Sequence, residues 1–225
     1  MDVHRQHWQQ QQQLFRQCLF SKQHEEAMRL FLLQHAMIHS AAMSGSGEWS
    51  FEDEVIDGLT AEQLRARPAG GMNSIAWLIW HIARIEDVTM NLLVAGRPQV
   101  LSESGWLDRL HITRRDVGTS MGDAEVREIS DRIDIPAIRA YRVAVGRRSR
   151  AIVAALPPGE WWQPVDPANI QHLFDEDALA GEASELAQVW SGWKKAGMLT
   201  MPASRHSFTH LNEAREVRRK VGHDG

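Results

Sequence analysis

The stretch Ser74-Ile75-Ala76-Trp77-Leu78-Ile79-Trp80-His81-Ile82-Ala83-Arg84-Ile85-Glu86-Asp87-Val88 decides the fold. Trp77, Leu78, His81, Ile85, Val88 and then Leu92 recur at steps of one, three and four, which places them on one face of an α-helix. Gly70-Gly71 precedes this helix, Asn73 or Ser74 supplies its N-cap, and Gly96 with Pro98 stops it. His81 is the polar residue in that apolar stripe. An imidazole facing hydrocarbon needs a partner for each ring nitrogen, or its burial is costly. A backbone carbonyl, a tyrosine or a metal ion would each serve.

Similar periodicities flank this helix. Upstream, Met28, Phe31, Leu32, His35, Ile38 and Ala42 form one face of a helix from Lys22 to Met43, ended by Ser44-Gly45-Ser46-Gly47. Thr60-Ala61-Glu62-Gln63 reads as a capping box opening a short helix before Pro68. Downstream, a short helix starts at Asp123. Asp134 then caps a long helix with Pro136 in its first turn, and Ile138, Tyr141, Val145, Ile152 and Leu156 line its face. A further helix is expected from Asp177 to Trp193, and a last one from near Ser204 through Val221. No run alternates β-branched with polar residues, so no sheet is expected. The fold class is all-α: a four-helix bundle with long crossovers and extra short helices. Residues 1–21, with glutamine from Gln9 to Gln13, read as an N-terminal extension that is frayed or disordered, and 22–225 as a single domain.

Composition narrows the function. A formal net charge of −4 argues against a nucleic-acid partner, and the basic cluster Arg215, Arg218, Arg219, Lys220 sits where cations offset a helix dipole. One cysteine, Cys18, rules out a disulfide framework and a cysteine-rich zinc site, and its neighbours do not mark it as a nucleophile. No apolar run is long enough for a membrane span, and the N-terminus lacks the pattern of a secretory signal. A cytoplasmic location follows by elimination.

His206 and His210 stand four apart on the last helix, so both imidazoles reach one side and can meet one ion. Neutral imidazole suits zinc, nickel, copper or iron, with bonds of roughly 2.0–2.1 Å for zinc. His81 is the third candidate. On spacing alone, metal ligation and ordinary hydrogen bonding both stay open. His35 and His39 form a competing pair, with packing and hydrogen bonding near the bundle end as their expected role. Glu213 can orient a ligand imidazole, or pair with Arg215 or Arg218 in solvent, which is the expectation. Glu86 and Asp87 read as helix-surface carboxylates, and His4, His7, His24, His111, His172 and His223 as surface residues. Trp190 and Trp193 are expected to pack under the second crossover, and Trp161-Trp162 follows a turn.

The segment from Met72 to Asp87 resembles the second-helix signature of the DinB-like (damage-inducible) metalloprotein superfamily. Ser204-Arg205-His206-Ser207-Phe208-Thr209-His210-Leu211-Asn212-Glu213-Ala214 resembles its last-helix H-x3-H motif, and Asp116-Val117-Gly118-Thr119 falls within the same likeness. The resemblance runs from about Glu25 to Arg219. It implies up-down-down-up connectivity and one divalent ion, Zn2+ or Ni2+, on His81, His206 and His210, with a fourth position open as in catalytic sites. It also implies a homodimer and a small-molecule substrate, including a low-molecular-weight thiol such as mycothiol, bacillithiol or glutathione. The functional expectation is a metal-dependent enzyme, transferase-like with a thiol or hydrolase-like with water. Its alternative is a non-catalytic, stress-associated metal-binding or scaffold protein.

Overall fold

A computed structural model describes residues 2–47 and 49–222; His223 lies outside them. Among the described residues there is no strand beyond one isolated bridge between Pro164 and Lys194. Five helices carry the architecture: α1 (Val3–Phe20), α2 (His24–Met37), α3 (Ile75–Asp87), α4 (Ile135–Ala155) and α5 (Ser207–Val221). The last four make the bundle, with α3 against both α4 and α5, and α2 against α4. Shorter helices fill the crossovers.

Caps fix where the long helices start. Ser74 Oγ accepts from the Trp77 amide at 3.0 Å, and Asp134 accepts from the Ala137 amide at 2.8 Å. The Thr60–Gln63 capping box is present in full at the head of Ala61–Arg65. Two π-helical stretches interrupt the α pattern. Val88–Val94 continues α3, and Met201–His206 leads into α5. Asp87 holds the first of these, since its carboxylate accepts from the Val100 and Leu101 amides at 2.8 and 2.9 Å and from Arg84.

Four expectations need correction. The Gln-rich segment is an ordered helix, because Trp8, Gln12, Phe15 and Leu19 form a buried stripe within the polar run. Trp8 stacks on Phe208 at 3.9 Å between ring centroids and donates to the Gln34 carbonyl at 3.0 Å. α2 ends at Met37, not Met43: the Ile38 carbonyl accepts from Arg142 at 3.1 Å, and Ser40 caps a new turn, Ala41–Ser44. The helix expected over 177–193 is broken. Pro167–Asp175 forms behind the Asp166 cap, Asp177 turns left-handed at φ 53°, and Ser184–Ser191 follows separately. Glu86 and Asp87 are fully buried, because they end a helix that is enclosed on every side.

Candidate metal centre

α3 and the start of α5 bring His81, His206 and His210 together. One ring nitrogen from each lies within 4.8 Å of the other two. Ring centroids stand 5.0 Å apart for His81–His206 and for His81–His210, and 4.5 Å for His206–His210. The π-helical turn ends on His206, and the α-helix that follows places His210 one turn on.

Neighbours fix the tautomers. His81 Nδ1 donates to the Val117 carbonyl at 2.6 Å, which leaves its Nε2 with a free lone pair. The ring is also stacked on Trp77 at 4.9 Å. Val117 is presented by a tight loop in which the Gly118 amide donates to Asp116 at 2.7 Å. Gly118 has φ +78°, and a Cβ there would stand 2.5 Å from the Trp80 ring, so the loop closes onto α3 only with glycine. His210 Nδ1 donates to Glu213 at 2.9 Å, and Asn73 donates to the other carboxylate oxygen at 3.3 Å. Glu213 thus serves His210, whereas Arg215 faces Glu54 and Arg218 donates to the Val55 and Asp57 carbonyls. His206 Nδ1 is buried with no hydrogen-bond partner.

Electrostatics keep His81 and His206 neutral. Burial, then the nearby His210, hold His81 at about 4. Burial, with His81, His210 and Arg142 close by, holds His206 at about 2. The hydrogen bond from His210 is the first cause that draws the Glu213 carboxyl below its usual range. Neutral nitrogens with converging lone pairs and an orphaned buried atom suit a divalent ion, and the donor set is one that zinc or nickel accepts. The cluster can hold a metal.

His81 and His206 also form part of the wall of a cavity of about 470 Å³. Trp77, Ile85, Trp190, Trp193, Met201 and Pro202 make it largely apolar, with Asn73, Thr119 and Ser120 as polar points. Trp190 and Trp193 therefore line the cavity as well as covering the crossover. Among its described lining residues there is no lysine, arginine, aspartate or glutamate. Cys18 lies elsewhere, and burial, with Glu26 beside it, pushes its thiol up.

His35 and His39 do not join this cluster. Each donates a ring nitrogen to one oxygen of Glu86, at 2.8 and 2.9 Å, and all three side chains are fully buried. Sequence reasoning missed Glu86 as their partner because it lies 47 residues from His39. It also missed the Val117 carbonyl, for which the Asp116–Gly118 turn was the available signal.

An all-α bundle with a partly buried histidine cluster, two members of which form cavity wall, defines a class of helical protein with a candidate metal centre. The chain belongs to the DinB superfamily, whose family model matches residues 52–192. That span includes His81 and ends before His206 and His210. No curated protein matches the chain. Among the described residues no helix is long and apolar enough to cross a membrane.

Proposed function

We propose that the chain is a metal-dependent enzyme in which His81, His206 and His210 hold one zinc or nickel ion. The open position would face the tryptophan-lined cavity, and the reaction would bond the sulfur of a low-molecular-weight thiol to an apolar electrophile whose leaving group departs with the thiol's proton, with water in place of the thiol as the alternative. The observation that carries this reading is that His81 and His206 are themselves cavity wall. A divalent ion at such a site supplies a Lewis acid that lowers the pKa of a thiol or water.

The chain's own residues do the rest. Val117 and Glu213 orient two of the imidazoles through their Nδ1 atoms, so that each Nε2 is the atom left to hold the ion. The tryptophans exclude water and offer flat apolar surface to a substrate. Thr119 and Ser120 supply hydroxyls for one polar substrate group. The lack of a cation in the described lining favours an uncharged thiol over a peptide thiol with carboxylates.

The test combines elemental analysis with turnover. Wild type is expected to carry about one ion at the triad and His81→Ala to lose it, whereas well-folded wild type with less than about 0.2 ion per chain sinks the reading. Thiol consumption is then followed with uncharged aromatic electrophiles. A metal-loaded protein that turns over no thiol and hydrolyses no ester points instead to the non-catalytic metal-binding alternative.

A further inference from the structure

A second group of metal-ligating side chains lies deeper in the bundle. His35 from α2, His39 from the turn after it and Glu86 from the end of α3 converge with ligand atoms within 4.8 Å of one another. All three side chains are at zero exposure, and none of them lines a described cavity. The two imidazoles address opposite oxygens of one carboxylate, at 2.8 and 2.9 Å. Donors from separate side chains around one ion of zinc's size stand about 3.3 Å apart, so each imidazole–carboxylate contact would open by about half an ångström as the proton it now carries is released. Two ring nitrogens and both carboxylate oxygens give four donors, with no position left open.

The surroundings are arranged for this group. Gly146 of α4 faces His39, and a Cβ there would stand 2.7 Å from its Nδ1, so the ring sits where it does because that residue is glycine. A nearby guanidinium, Arg142, divides its contacts. It donates to Glu52 at 2.6 Å and to the Ile38 carbonyl at 3.1 Å, and stands 3.5 Å from Glu86. Glu52 and Glu86 are two buried carboxylates that share that single guanidinium.

We infer that His35, His39 and Glu86 form a second, closed divalent-metal site, of the zinc class, that ties α2 to α3. Its role is structural, since neither solvent nor the cavity reaches it. It is separate from the His81 triad and shares only helix α3 with it.

The experiment is metal content and thermal midpoint of protein from zinc-supplemented cells. Wild type is expected to hold about two ions and His206→Ala about one. His206→Ala with His39→Gln added should hold none and melt lower than His206→Ala. Folded His206→Ala without a stoichiometric ion overturns the second site, as does an ion that survives in the double variant. Because His39→Gln alters a buried group, X-ray absorption of zinc in His206→Ala gives an independent reading. Two imidazoles and a carboxylate support the site; any other ligand set overturns it. Failure of the triad gives a different result: His39→Gln with the triad intact then carries no ion.

Discussion

Glu213 does for His210 what a backbone carbonyl does for His81, and both can be tested one atom at a time. Glu213→Gln keeps the shape and removes the charge that holds the ring. Metal affinity is expected to fall by about 10- to 100-fold, read by competition with a chromophoric chelator, while helical content stays unchanged. Protonation is the second residue-scale test. Unfolded histidine titrates near 6.5, whereas burial and neighbouring histidines hold folded His81 at about 4 and His206 at about 2. As pH falls, the unfolded chain takes up protons first. The contribution to stability is therefore complete above about pH 6.5 and is lost as pH falls through that value toward about 4. His81 alone should withdraw on the order of 3 kcal/mol across that window. Denaturant midpoints of metal-free protein between pH 7 and 4.5 check this; a flat profile contradicts it.

Helices α3 and α4 were legible because their caps and stripes agree: Ser74 and Asp134 open them where the sequence expects. α1 was not, because its glutamines outnumber the five residues that are buried, one of them Gln12, and composition spoke louder than spacing. Trp8→Ala should cost about 3–5 kcal/mol, measured by urea unfolding, since the indole is wholly buried against Phe208. A stability unchanged by that substitution would mean that α1 is separable after all. The loop behind His81 gives a second test. Gly118→Ala brings a Cβ to 2.5 Å from Trp80 at φ +78°. It is expected to destabilise by about 2–4 kcal/mol and to weaken metal retention, because Val117 moves with it. Retention equal to wild type would remove the loop from the site. The triad was marked in the sequence, His206 and His210 by their four-residue spacing and His81 by its place in an apolar stripe, but the Val117 carbonyl that orients His81 is contributed by a loop that no periodicity reveals. The His35–His39–Glu86 group escaped because burial of Glu86 depends on other elements closing around α3.

Across the whole molecule, the cavity draws on α3, the Gly118 loop, the second crossover and the turn before α5. Its character is therefore set by segments far apart in the chain. Trp190 is almost fully buried, and Trp190→Ala should enlarge the cavity and raise KM for aromatic electrophiles more than for small ones, leaving metal content unchanged. Equal changes for both would place Trp190 outside the substrate's reach.

The π-helical turn Met201–His206 has a consequence for lineage. Its i→i+5 hydrogen bonds enclose one residue more than an α turn does. One residue can therefore be lost between Met201 and Arg205 while the helix on either side keeps its place. A relative whose last helix is unbroken is then one residue shorter here, and its histidine pair aligns with His206 and His210 only if a single gap is opened within that turn.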